Sequence, residues 1–358
     1  MQELVNQFNQ YQKALVIQQS DLSLESLSSM ISNNIVNLHP HYQRRERWNE
    51  DKQSKLIESF ILNVPVPPIY FSEDEYGIYS VIDGKQRLTA IHNFLTNKLK
   101  LKNLEAIDSL NNLYFKDLPA PIRNALSVRP YIRIVTLLKQ SNPDLKYEVF
   151  LRLNTGGQKL NSQEVRNVAY EGSLNDLLFE LSQNEILKTK LKITDDNSNA
   201  FRSMQDLEII LRFFALLNAI DGYLPANMSR TLDKFMSANR FIDDFTKNHL
   251  KNLFQQSIQV CDFIWEQNAF YKPLPNGNFR ELFIAPLFDA QMIAVAKVIN
   301  ENGVGVFNHI NKDKLIRRTV ELLLNDKDFL KATTQATNNP NNIKLRVHTI
   351  YLLLKELI

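Results

Sequence analysis

Cysteine is nearly absent. Cys261 is the single one among 358 residues, so no disulfide forms within the chain and no cysteine cluster holds a metal. That scarcity fits a reducing compartment, and the expected location is cytoplasmic. Long apolar runs are missing as well. Of the two longest, Ile209–Ile220 is too short to span a bilayer and carries Arg212, and Leu282–Ile299 is broken by Asp289 and Lys297. Both read as buried helices, and no membrane partner is expected. The opening MQELVNQFNQYQKAL has no basic flank followed by an apolar core, so no signal peptide is read there. Excess charge is also small. A formal net charge of +3 does not by itself imply nucleic-acid binding, so any basic surface has to be local. What is present is ordinary: 44% hydrophobic and 23% charged residues build folded cores, and the length suggests about two domains.

The pattern along the chain predicts an α+β fold. Ser23–Ile35 reads as an amphipathic helix behind a serine cap, and Asn49 caps a second helix, Glu50–Leu62. Pro65, Pro67 and Pro68 force an extended path into a strand over Ile69–Ser72. Further strands are predicted at Ile78–Ile82 and Tyr131–Leu138, with helix Gln86–Thr96 between them. After Ser141 the strands are expected to stop. Pro143 opens a helix through Leu153, Gly156-Gly157 ends it, and Asn161 or Ser162 caps the next. Helical patterns then follow one another to Leu357, separated by polar or Gly/Pro breaks such as "DGYLPAN" and "KPLPNGN". The expected organisation is a small mixed module over 1–140, bridging helices over 141–200 and an all-helical domain over 201–358.

Three stretches hold chemistry-bearing residues. In "YSVIDGKQRLTAIHNFL" a strand turns into a helix at Asp83-Gly84-Lys85-Gln86-Arg87. A helix N-terminus presents backbone N–H groups and partial positive charge, Gly84 permits close approach, and Lys85 and Arg87 add donors. Asp83 could hold a divalent metal or orient a water. Together these suit a phosphate with its cation. The alternative is that Asp83 caps the helix while Lys85 and Arg87 are solvated. The spacing is not that of a P-loop. In "HYQRRERWNED", Arg44, Arg45 and Arg47 crowd together before Trp48. The arginines suit phosphate, while Trp48 either stacks on a base or anchors in the core. In "FLRLNTGGQKLNSQEVRNVAY", Arg152, Asn154, Gln163, Glu164, Arg166 and Asn167 line two helix ends. They frame a polar pocket, or they are a capped corner with an Arg–Glu pair.

Taken together and in order, Gln43-Arg44…Trp48, "IESFILNVPVPPIYF", "VIDGKQRLTAI" and "FLRLNTGGQKLNSQEVRN" resemble the N-terminal domain of the GmrSD-type restriction systems, a ParB-like family whose signature is D-G-Q-Q-R. "MQDLEIILRFFALL" and "LFIAPLFDAQM" resemble its helical continuation. The resemblance implies a ParB-like module that binds and hydrolyses a nucleoside triphosphate, ATP or GTP, with Mg²⁺. It implies coupling to a DNA nuclease in defence against phage or foreign DNA.

The signature falls on Asp83, Gly84, Lys85, Gln86 and Arg87, with lysine in place of the first glutamine. Gln43, Arg44, Arg152, Asn154 and Glu164 match further positions, and Arg166 and Asn167 lie in the same stretch. On this reading Asp83, Gln86 and Arg87 are catalytic, Asp83 also holding the metal, and the others bind nucleotide. His92-Asn93, Asn248-His249 and Asn308-His309 stand isolated, so no HNH nuclease motif is read. A separate nuclease subunit acting on duplex DNA becomes the expected partner, and an oligomer is compatible with the pattern. Two other readings stay open: a ParB-like protein that itself binds or cuts DNA, and a non-catalytic nucleotide sensor.

Overall fold

The computed structural model describes residues 2–38, 48–153, 161–196, 198–274 and 278–358. Gln43, Arg44, Asn154 and the Gly156-Gly157 pair lie outside them. The chain divides into two compact units, Met1–Ala169 and Tyr170–Ile358. The stretch 141–200 is therefore shared between them.

The first unit opens with helix α1 (Gln2–Ala14) and strand β1 (Ile17–Ser23). Ser23 ends the strand and caps α2 (Leu24–Ser32), its hydroxyl accepting the Ser26 N–H at 3.2 Å. A two-residue strand, β2 (Val36–Asn37), follows. Asn49 then caps α3 (Glu50–Ile61), accepting the Lys52 N–H at 3.0 Å. Past the prolines come β3 (Ile69–Glu75), β4 (Ile78–Asp83) and α4 (Lys85–Leu95). Helix α5 (Ala120–Val128) leads into β5 (Tyr131–Leu137), and α6 (Pro143–Leu153) and α7 (Ser162–Ala169) complete the unit.

The five strands form one mixed sheet in the order β1-β5-β3-β4-β2. The pairs β1–β5 and β3–β4 are antiparallel, and β3–β5 and β2–β4 are parallel. Alternation along β5 buries Ile132 and Ile134, which join Ile69 and Phe71 of β3 and Val81 of β4 in one core. Leu27 of α2, Ile57 of α3, and Leu88, Ile91 and Phe94 of α4 close that core. Strand β1 was not anticipated. Its residues, IQQSDLS, are mostly exposed, so the apolar alternation that marks a half-buried strand is lacking.

The second unit is mainly helical. It contains α8 (Ser173–Leu181), α9 (Glu185–Leu191), α10 (Asn199–Arg202), α11 (Gln205–Ala219), α12 (Met228–Ala238) and α13 (Asp244–Trp265). The hairpin β6 (Tyr271–Pro273) and β7 (Phe279–Phe283) precedes α14 (Ala285–Asn302), α15 (Lys312–Asn325), α16 (Lys327–Thr334) and α17 (Pro340–Leu357). This antiparallel hairpin corrects the expectation that strands end at Ser141. It was illegible because Pro273 sits in β6 and the middle of β7 faces solvent. Helix α14 is apolar nearly all round and is buried from Leu287 to Ala296, surrounded by α11, α13 and α17. No helix among the described residues is long and apolar enough to cross a membrane.

One carboxylate interrupts this apolar helix. Asp289 is fully buried and accepts from Arg212 of α11 at 2.5 Å and from Arg346 of α17 at 2.6 Å. Burial works against the charge of Arg212, but Asp289 outweighs it and holds that guanidinium above its ordinary value. For Arg346 burial prevails and the value falls. Removing the shared carboxylate would leave two buried cations uncompensated. Asp289→Ala is therefore expected to cost about 3–5 kcal/mol, read as a lowered midpoint in urea unfolding. Lys55→Ala, which breaks an exposed ion pair with Glu105, is expected to leave the midpoint in place.

Candidate functional site

The turn between β4 and α4 brings the signature residues together. Asp83 is the last residue of β4, Gly84 the N-cap of α4, and Lys85, Gln86 and Arg87 form the first helical turn. Gly84 has φ +99°, in the left-handed region. A Cβ placed there would lie 2.7 Å from Cγ1 of Ile69. Glycine is thus required by both backbone and packing. The space beside it is filled by Ile69, not by room for a ligand. Helix α4 has no side-chain cap, which corrects the alternative in which Asp83 caps it.

Asp83 is engaged elsewhere. Its Oδ2 accepts from Arg87 Nη2 at 2.5 Å. The other arm of that guanidinium donates to the carbonyls of Pro67 and Pro68, the latter at 3.0 Å. The Arg87 side chain is 11% exposed and that of Asp83 39%, so Arg87 is not solvated as that alternative supposed. The β3–β4 register slips beside this point: Tyr70 pairs with Asp83 but Phe71 with Val81, leaving Ile82 as the extra residue. Such a bulge re-aims the side chains next to it.

Gln86 faces the entry to α3. Its Oε1 accepts the Trp48 N–H at 3.0 Å. The Trp48 carbonyl accepts from Gln53 Nε2 at 2.9 Å, and Gln53 Oε1 accepts from Asn93 of α4 at 3.2 Å. This amide chain ties the backbone N–H and C=O of Trp48 to α4 and α3. Trp48 is half-buried against the core of the first unit, which favours the anchoring role over base stacking. Gln53 and Asn93 carried no local signal, since only the fold makes them neighbours.

The third stretch divides by burial. Arg152, in the last turn of α6, is exposed and ion-paired with Glu148 at 3.5 Å. On α7, Gln163, Glu164, Arg166 and Asn167 are all buried. Asn161 accepts the Glu164 N–H at 2.9 Å, and Glu164 accepts the Asn161 N–H at 2.7 Å, a reciprocal cap. Gln163 donates to Asn167 at 2.8 Å and accepts from Arg166 at 3.3 Å. Lys146 of α6, not anticipated, donates to Ser72 Oγ at 3.3 Å and to the Glu73 carbonyl at 3.2 Å, fastening α6 to β3. The structure thus joins Asp83, Gly84, Lys85, Gln86 and Arg87 in one turn and places Glu164, Arg166 and Asn167 in a second, buried polar cluster.

A metal at Asp83 would meet a carboxylate with one oxygen already bonded to Arg87. Among the described residues no group of three or more His, Cys, Asp or Glu stands close enough to hold a metal. The fit for a cation is therefore partial, and it calls for phosphate oxygens to complete the ligand set.

Gly84→Ala is expected to cost about 1–3 kcal/mol from backbone strain and the clash with Ile69. Urea unfolding measures it, and an unchanged midpoint would show that the turn relaxes freely.

No curated protein and no solved structure matches the chain. A family model does match part of it, over residues 24–171, from the first residue of α2 to just past α7. All four motifs named above fall in that span. The model is described as GmrSD restriction endonuclease, N-terminal domain, so the resemblance drawn from those motifs is borne out for that segment.

Proposed function

We propose that residues 24–171 bind a nucleoside triphosphate at the β4–α4 turn, as the nucleotide-handling part of a GmrSD-type restriction system. The observation that carries this reading is the turn itself. A left-handed glycine is followed at once by Lys85 in the first turn of a helix, beside a carboxylate that Arg87 holds in place. The helix N-terminus and the Lys85 ammonium both favour a phosphate's negative charge.

The partners of each residue support a division of work among them. Arg87 is a positioning residue, because its guanidinium bonds Asp83 and the two proline carbonyls. Gln86 positions Trp48. Lys85 supplies phosphate charge in place of the family's glutamine. Mg²⁺ bound with the nucleotide would neutralise phosphate charge, and Asp83 is the residue that would meet it. A separate nuclease subunit acting on duplex DNA completes the system.

The engagement of Asp83 with Arg87 favours a second reading, in which nucleotide is bound and sensed without turnover. A carboxylate oxygen that already accepts from a guanidinium has less lone-pair capacity left for a metal or a water.

Phosphate release from each of the four nucleotides with Mg²⁺, with and without plasmid DNA, separates the two. Turnover by wild type and none by Asp83→Ala supports hydrolysis. Lys85→Ala is expected to weaken nucleotide binding about tenfold or more, as for loss of a charge-assisted hydrogen bond. Arg87→Ala is expected to lower the melting temperature as well. Binding without phosphate release selects the sensing reading, and no binding by folded wild type overturns both.

A further inference from the structure

One face of the sheet in the first unit carries the core. Ladder partners share a face, so the strand register also defines rows across the other face. In one such row Leu137 of β5 pairs with Ser72 of β3, and Ser72 with Ser80 of β4. All three are buried, and Lys146 of α6 donates to Ser72 Oγ at 3.3 Å. In the neighbouring row Val135 pairs with Tyr70, and Tyr70 with Asp83. These three are half-exposed, and Gln19 of β1, the partner of Val135, is exposed. The cover over the first row therefore stops short of the second, which forms a ledge open at its Gln19 end.

The ledge begins at the candidate site. Asp83 is one end of it, and Lys85 follows two residues later at the start of α4. Adjacent strands lie about 4.8 Å apart, so the ledge runs about 10 Å from Asp83 past Tyr70 to Val135. Side chains stand roughly perpendicular to a sheet. The Tyr70 ring thus rises above the shorter Val135 beside it and walls the ledge. Among the described residues nothing hydrogen-bonds the Tyr70 hydroxyl and no ring stacks on Tyr70. An aromatic wall beside an aliphatic floor suits a flat ring system. The helix N-terminus and Lys85 suit an anionic group joined to that ring system. A nucleoside triphosphate has both parts.

Building on the nucleotide reading of the β4–α4 turn, we infer that the Tyr70–Val135 ledge is its nucleoside subsite, with the Tyr70 ring stacked on the base. Every base has a face on which an aromatic ring can stack. Tyr70 therefore adds affinity for a nucleoside without choosing among the four, and its effect is confined to ligands that carry a base.

Binding of the full chain to ATP, GTP, CTP and UTP, compared with inorganic tripolyphosphate, all with Mg²⁺, tests this. The two kinds of ligand share the phosphates and differ in the nucleoside. Wild type is expected to bind the nucleotides about tenfold or more tighter than tripolyphosphate, as for one base–aromatic stack. Tyr70→Leu keeps an apolar side chain on the sheet but has no ring. It is expected to lose that preference and to bind tripolyphosphate as wild type does. Tyr70→Phe keeps the ring and is expected to keep the preference. Lys85→Ala is expected to weaken both kinds of ligand alike. Three results overturn the inference and leave the phosphate site standing: a wild type without the preference, a Tyr70→Leu variant that retains it, or a folded Tyr70→Leu variant that loses both ligands alike. A folded wild type that binds neither ligand overturns the nucleotide reading itself, and the subsite with it.

Discussion

Arg87 reaches from the first turn of α4 to the carboxylate that ends β4 and to the two proline carbonyls that lead into β3. Three chain segments thus meet at one planar cation, and the fixed fork of a guanidinium sets their spacing in a way a lysine ammonium would not. The position of Gly84, the aim of Asp83 and the start of α4 all follow from that bridge. It also changes the electrostatics suggested by the letters DGKQR. The charges of Asp83 and Arg87 largely cancel.

What could be read from the sequence was local. Ser23 and Asn49 announce helix starts because a cap acts within three residues, and each accepts the backbone N–H expected of it. The apolar alternation of β5 and the helical spacing of Leu88, Ile91 and Leu95 were equally visible. What could not be read was spatial. Asp83 before a helix looks like a cap in sequence. Only the approach of Ile69 to Gly84, and of Arg87 to Asp83, turns it into a strand end held from the side. The amide chain from Gln86 through Trp48 and Gln53 to Asn93 spans residues far apart in sequence, each ordinary alone. Strand β1 was hidden for a different reason: an edge strand with exposed side chains carries almost no pattern.

The second unit meets the problem of buried charge in another way. Asp289 sits in a buried, largely apolar helix of that unit and collects two arginines from neighbouring helices. Arg346 further donates to the carbonyls of Ala332 and Thr337, and Arg212 to Asn338. The carboxylate therefore fixes the mutual register of α11, α14 and α17, along with the turn before α17. An apolar core of interchangeable aliphatic groups would specify that register less sharply.

Strand order in the first unit sets an order of assembly. β5, residues 131–137, lies between β1, residues 17–23, and β3. Until the chain has grown past Leu137, β1 has no neighbour and the sheet is in two pieces. A protein emerging from the ribosome can form the β3–β4 hairpin and α4 early, but not the strand that joins them to β1. Closing that gap means bringing together segments more than a hundred residues apart, as Ile17 against Leu137 illustrates. Such long-range closure makes folding of this unit slow compared with a local helical bundle, and it exposes strand edges while synthesis continues.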